Sequence, residues 1–222
     1  RKVEHVIGED GEMREVPIDM DSADTSIFVF KTVADPFVGK MSFFKVMNGE
    51  VKKDMVLRNT TTGATEKLGK IFMMRGKRQI DVDELACGDI GVVAKLSNTN
   101  TNDTLTTVAE NIKYDPIKYP VPYFTKAIAP RSKGDEDKIS QALQKITHED
   151  QTVKVVNDAE NRQMLLYGMG DQHLDIIVSK LLNEYKVEVE LDAPKIAYRE
   201  TIKKNSDVEY KYKKQSGGHG QY

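Results

Sequence analysis

No run of apolar residues in this 222-residue chain approaches the roughly 18 needed to cross a bilayer. The opening Arg1-Lys2-Val3-Glu4-His5 leads into acids rather than into an apolar signal core, so the expectation is a cytoplasmic protein without membrane contact. Cysteine is nearly absent: Cys87 stands alone and cannot form an internal disulfide. It follows Leu85-Ala86 with no basic cluster beside it, which favours a small buried thiol over a reactive one. Histidine is sparse, and His5, His148, His173 and His219 are scattered, none in a spacing such as His-Glu-x-x-His, so no metal site is expected. Charge of either sign is not in excess: 33 basic against 35 acidic residues give −2. That balance excludes an all-over nucleic-acid binder and confines any RNA contact to a local patch.

A phosphate-binding loop is also missing. Such a loop needs glycines that let backbone amides converge, then a lysine and a hydroxyl for the metal. The nearest match, Ala34-Asp35-Pro36-Phe37-Val38-Gly39-Lys40-Met41, has alanine in place of the first glycine and methionine in place of the hydroxyl. It also sits between two apparent strands, with no helix behind it to supply a dipole. Nothing suggests the Ser-His-acid or Cys-His pattern of nucleophilic catalysis. An acylphosphatase-like enzyme would need an anion loop beside the first strand of its sheet, and none is evident.

What is present is ordinary globular material, 39% hydrophobic and 31% charged, enough for one or two domains. Residues 1–24 are acidic, with Glu4, Glu9, Asp10, Glu12, Glu15, Asp19, Asp21 and Asp24, and show no helical period; they predict an extended linker. From Ser26 to about Thr107, short strands alternate with turn signals. Ile27 to Val33, Lys40 to Val46, Met55 to Leu57, Leu68 to Met73 and Ile90 to Ala94 are apolar or β-branched runs. Asp35-Pro36 and Asn48-Gly49 turn the chain between them. With the short stretch that the Asn48-Gly49 turn leads into at Val51, six or seven closely spaced strands without a helix predict a small closed β-barrel over 25–110. Pro116, Pro120 and Pro122 then mark a linker at 111–121.

Over 122–193 the order becomes strand, helix, strand, strand, helix, strand. Ile139, Ala142, Leu143 and Ile146 recur at helical spacing, as do Leu174, Ile177, Val178, Leu181, Leu182 and Tyr185. Val187 to Leu191 alternates with period two. This βαββαβ order predicts a ferredoxin-like α+β domain with both helices on one sheet face. The chain as a whole is therefore expected to be multi-domain, β followed by α+β. Residues 194–222 begin something they do not finish, and stopping just after three glycines predicts that the chain is a piece of a longer protein.

Two basic clusters stand out: Arg75-Gly76-Lys77-Arg78, and the series Lys203, Lys204, Lys211, Lys213 and Lys214. Either a solvated surface or a phosphate contact fits them. Near the second helix, Gly168-Met169-Gly170 allows a sharp turn from strand to helix. His173 lies in that helix's first turn, where the positive end of the dipole disfavours a proton; packing or hydrogen bonding suits it better than catalysis. Asp171 and Asp175 suit the same helix end as anions.

Several segments carry a family resemblance. Phe28-Val29-Phe30-Lys31-Thr32-Val33-Ala34-Asp35-Pro36-Phe37-Val38-Gly39-Lys40, Cys87-Gly88-Asp89-Ile90, Ala142-Leu143-Gln144-Lys145-Ile146 with Glu149-Asp150, Gly168-Met169-Gly170-Asp171-Gln172-His173-Leu174-Asp175-Ile176-Ile177-Val178, Pro194-Lys195-Ile196-Ala197-Tyr198-Arg199-Glu200-Thr201-Ile202 and the closing Gln215 to Tyr222 occur in that order. From about Ser26 onward they resemble the second, third and beginning of the fourth domain of elongation factor G, the ribosomal translocase family.

The resemblance implies a translation-factor-type barrel, a ferredoxin-like third domain and a cytoplasmic monomer. Its partners would be the ribosome, through small-subunit RNA and protein, together with the family's own GTPase domain and the rest of the fourth domain. It implies GTP and magnesium bound by that GTPase domain and no cofactor on these residues, which would be catalytically silent. It implies phosphate contact by Arg75, Lys77 and Arg78, and places His173 and Leu174 at the interdomain groove where fusidane antibiotics bind, in a coupling role. Two departures, Asp171-Gln172 where Glu-Leu is usual and His219 where arginine is frequent, leave a ribosome-recycling or ribosome-protection paralogue open. A ribosome-independent protein-interaction module is the alternative from a different class.

Overall fold

A computed structural model describes residues 3–8, 10–108 and 112–210. The protein is a β-rich multi-domain fold, with two helices among the described residues. None of these helices is long and apolar enough to cross a membrane.

The acidic amino-terminal segment is not the extended linker its composition predicts. Strands β1 (Val3–Ile7) and β2 (Met13–Pro17) form an antiparallel hairpin in register from Val3↔Pro17 to Ile7↔Met13. Val6 is 1% exposed and packs with Met47 and Tyr114, so one buried valine anchors an otherwise polar ribbon.

The strands that follow are β3 (Ser26–Asp35), β4 (Gly39–Asn48), β5 (Glu50–Lys52), β6 (Val56–Asn59), β7 (Thr65–Lys67), β8 (Ile71–Arg75), β9 (Arg78–Val82), β10 (Glu84–Ala86), β11 (Ile90–Ala94), β12 (Thr104–Thr106) and β13 (Lys113–Tyr114). Eight of them join in the order β7-β6-β12-β3-β4-β11-β8-β9, β5 pairs with β10, and β13 completes the hairpin sheet beside β1. Ile27, Val29, Phe44, Val46, Leu57 and Leu105 are all within 1% of complete burial on the inner face. In β3 the alternation that buries Ile27 and Val29 resumes at Thr32 rather than Lys31, because the register with β4 shifts between Val29 and Lys31.

The ladder does not close into the expected barrel: its outermost strands, β7 and β9, do not pair. The chain nonetheless runs from edge strand β7 into β8, next to the opposite edge, through only Leu68, Gly69 and Lys70. Both sides of the sheet are thus drawn round one core, which the buried Leu68 plugs. The single run expected at Leu68 to Met73 is split accordingly. Leu68 and Gly69 form the crossing, tied by Leu68 N–H to Met55 O at 2.9 Å and Asp54 N–H to Gly69 O at 2.8 Å, and the strand begins at Ile71.

The remaining elements are β14 (Phe124–Pro130), α1 (Glu136–Glu149), β15 (Lys154–Asp158), β16 (Gln163–Gly168), α2 (Asp171–Asn183) and β17 (Val189–Asp192). Their antiparallel sheet has the order β15-β16-β14-β17. Helix α1 buries Ile139, Ala142, Leu143 and Ile146, and α2 buries Leu174, Ile177 and Leu181. Those stripes meet Ile128, Leu166 and Val189 from the sheet in a second, separate core. Residues 194–210 have no regular structure and are largely exposed, tied to the sheet by Gln163 with Lys195 and by Arg199 with Glu160.

Candidate nucleic-acid interface and interdomain junction

Strands β8 and β9 are joined by the two residues Gly76 and Lys77, with Arg75 and Arg78 opposite each other. Gly76 takes φ +59°, a backbone that side-chain-bearing residues rarely adopt and that tight hairpin turns require. The turn therefore gathers three cations onto one projecting tip. Arg75, Lys77 and Arg78 are exposed, and their side chains make no hydrogen bond or ion pair with the other described residues. Like charges facing each other across a ladder repel, so the tip is a compact patch of positive charge. Of the second basic series, Lys203 and Lys204 are exposed on the irregular tail; Lys211, Lys213 and Lys214, like His219 and the closing glycines, lie outside the described residues.

The start of α2 is built around Gly168. A Cβ there would lie 2.7 Å from Leu174 Cδ2 and 3.2 Å from His173 Nδ1, so only glycine lets β16 approach the helix this closely. His173 Nδ1 accepts the Met169 N–H at 3.0 Å, and Nε2 faces Asp150 Oδ2 at 3.1 Å. An Nδ1 that accepts a backbone proton carries none itself, so the ring proton sits on Nε2 and is donated to Asp150. Burial pushes the Asp150 carboxyl up. Hydrogen bonds from the Thr152 hydroxyl and N–H and from His173 outweigh it and hold the group below the ordinary carboxylate range. Leu174, paired with His173 in the sequence reading, is 1% exposed inside the second core; its side chain anchors the helix and does not face a groove.

A cleft of about 720 Å³ lies between the β3–β4 turn and the two helices, lined by Thr32 to Pro36, Gly39 and Lys40 on one side and by Lys145, His148, Glu149, Lys180, Glu184 and Tyr185 on the other. Glu149 closes its floor. Its Oε1 accepts the Ala34 N–H at 2.6 Å, and its Oε2 lies 3.2 Å from Lys180 Nζ. Burial lowers the Lys40 ammonium against the attraction of Asp103 and Glu66. Burial and then the Lys40 charge lower the His148 imidazole. The sequence reading missed this junction. The available signal was that Glu149 continues the apolar stripe of Ile139, Ala142 and Ile146 by one more step of three, and a carboxylate on a buried stripe requires a partner.

The segment Ala34 to Met41 does not fit a nucleotide phosphate. It is a hairpin turn in which Asp35 Oδ1 accepts the Phe37 and Val38 N–H groups, each at 2.8 Å, while Glu149 takes the Ala34 N–H. Carboxylates already hold the amides that a phosphate would need. Among the described residues, no cluster of three or more His, Cys, Asp or Glu is placed to hold a metal ion. Cys87 is half-buried, its Sγ 3.3 Å from Met47 O, and burial raises its thiol.

Three family models match consecutive stretches: elongation factor G domain 2 over residues 24–108, elongation factor G domain III over 119–193 and elongation factor G domain IV over 194–222. The chain is also similar to a solved crystal structure of a Thermus thermophilus protein, with 31% identity and a TM-score of 0.75. That match covers 91% of this chain and 31% of the other, so the chain spans about a third of that protein's length. A β-rich chain with these matches in this order is of the translation elongation factor type. It belongs to the elongation factor G family, of which it carries domain II, domain III and domain IV sequence.

Proposed function

We propose that the chain is the central portion of a ribosome-binding translational GTPase that promotes movement of tRNA and mRNA during elongation. The observation that carries this reading is the unbroken succession of three domain matches along residues 24–222, short of ten residues at 109–118. In this reading 25–110 is the barrel-type second domain, 122–193 the ferredoxin-like third and 194–222 the start of the fourth, with 111–121 connecting and the β1–β2 hairpin packed beside the second domain. The sheet order β15-β16-β14-β17 supports the ferredoxin-like plan. The crossing at Leu68 to Lys70 supports a barrel closed by chain connection rather than by a complete ladder.

GTP and magnesium belong to a GTPase domain outside these residues, and the chain itself holds and transmits. Arg75, Lys77 and Arg78 face ribosomal RNA phosphates. His173, with Leu174 as its buried anchor, holds the start of α2 where nucleotide-driven motion enters the third domain. The protein acts as a cytoplasmic monomer with the ribosome as its partner.

The deciding experiment places the full-length protein on programmed ribosomes and follows mRNA displacement by fluorescence with GTP present. Rapid GTP-dependent displacement is expected. Asp171-Gln172 in place of Glu-Leu leaves a recycling or ribosome-protection paralogue open as a second reading, and a recycling factor would instead split post-termination ribosomes. Neither activity, with binding indifferent to ribosomal RNA and to salt, would point to a ribosome-independent module and sink the proposal.

A further inference from the structure

Strand β3 has two neighbours at its start and one at its end. Its pairing with β12 stops at Phe28, whereas its pairing with β4 continues to Asp35↔Gly39. Beyond Val29, whose N–H is still held by Asp103 O, β3 is an edge, and its outward amides need partners or water. At Ala34 the partner is a side chain from the other domain: Glu149 Oε1, 2.6 Å away and 115 residues later in the chain. Glu149 is only 15% exposed, and its second oxygen is held by Lys180 from α2. One carboxylate thus joins three elements, the edge of β3, the last residue of α1 and the last turn of α2. The next residue, Asp150, reaches His173 at the start of α2.

Each domain has its own closed core, so packing within the domains does not fix the angle between them. We infer that Glu149 is an interdomain latch: its carboxylate, oriented by Lys180, sets the position of the α1–α2 pair against the β3 edge through the Ala34 amide. Loss of that contact frees the second domain to swing about the proline-containing connection without unfolding either core. The latch is a property of these residues and stands whether or not the parent protein acts on ribosomes.

The test uses the full 222-residue chain with Cys87→Ser and spin labels at Thr61→Cys and Lys133→Cys, both exposed. Pulsed electron resonance reads the distance between domains, and amide exchange reads Ala34 directly. A single narrow distance peak is expected with Glu149 in place. In Glu149→Ala that peak is lost to a broad distribution, and Ala34 exchanges at the rate of an open amide. The Val29 amide, held by Asp103 O inside the first domain, should stay protected. Glu149→Gln keeps an oxygen for Ala34 but loses the ion pair, and should fall between the two. Lys180→Met should broaden the peak when Glu149 is present and add nothing in Glu149→Ala. An unchanged distance peak and unchanged Ala34 protection in Glu149→Ala would overturn the latch. So would equal loss of protection at Ala34 and Val29, which would mean unfolding of the first domain rather than release. Additive effects of the two substitutions would remove Lys180 from it.

Discussion

His173 and Asp150 meet at 3.1 Å across 23 residues of sequence, joining the first turn of α2 to the C-terminal end of α1. Because Nδ1 of the same ring accepts the Met169 N–H, the imidazole serves as a two-ended spacer between a backbone turn and a carboxylate. His173→Ala removes both bonds and leaves the part-buried Met169 amide without its acceptor. A loss of about 1–2 kcal/mol follows, read as a shift of the urea midpoint at constant slope. Asp150→Asn retains an acceptor for Nε2–H and should cost less. Asp150 is depressed below the ordinary value of 3.8, so its contribution is complete above that value and is lost as pH falls below it. Asp150→Asn should therefore flatten the stability curve on the acid side of 3.8 and leave it parallel to wild type at neutral pH.

Two glycines of one turn should respond in opposite ways. Gly168→Ala drives a methyl to within 2.7 Å of Leu174 Cδ2, a side chain locked in the second core, and costs about 1–3 kcal/mol. Gly170, with φ 172°, has extended backbone and open space where a Cβ would sit. Gly170→Ala should stay within about 0.5 kcal/mol of wild type. Equal unfolding midpoints for the two variants would show that the contact between β16 and α2 is not the constraint at this turn.

The parts of this fold that the sequence announces are those whose partners lie nearby. Ile139 to Ile146 and Leu174 to Leu181 repeat at helical spacing, and both stripes are buried. The Asp35-Pro36 turn separates β3 and β4, which pair with each other; Asn48-Gly49 also turns the chain, but β5 beyond it pairs with β10 rather than folding back on β4. What stays hidden depends on distant chain. The hairpin of β1 and β2 is held beside Tyr114, about a hundred residues away, and only Val6 betrays it. Strands β5, β10 and β12 are three residues each, too short for an alternation to register. The shift after Val29 moves burial from Lys31 to Thr32 by a bulge that no local residue type encodes. The exposed basic turn at 75–78 was legible because a glycine between cations is a local signal. Glu149 with Ala34 was not, because the acceptor's partner is a backbone amide, which looks the same in every residue.

Acidification should loosen the junction through His148. Burial and the Lys40 charge hold its folded-state value below 6.5, so the neutral ring stabilises the fold above 6.5 and that contribution fades as pH drops through it. Around the cleft the other charged groups are Asp35, Lys40, Lys145, Glu149, Lys180 and Glu184, and the Lys40 charge adds to the cost of charging the ring. Urea midpoints at about pH 7.5 and 5.5 should differ more for wild type than for His148→Gln, which cannot titrate in this range. Parallel curves for the two proteins would exclude this imidazole as the acid-sensitive group.

Removing charge from the β8–β9 tip should change binding and leave folding untouched. The side chains of Arg75, Lys77 and Arg78 have no partners among the described residues, so Arg75→Ala with Lys77→Ala should keep stability within about 0.5 kcal/mol and relieve the repulsion between Arg75 and Arg78. If the two side chains each neutralise one phosphate, the double variant of the full-length protein should bind ribosomes more weakly at every salt concentration. Its plot of log affinity against log salt should then be shallower by about 2. The 222-residue chain, keeping only this tip of a larger contact, should bind no tighter than about 10⁻⁶ M at physiological salt. A double variant with wild-type affinity and slope would take this hairpin out of the interface, and nanomolar binding by the chain would show that a stronger contact lies elsewhere on it.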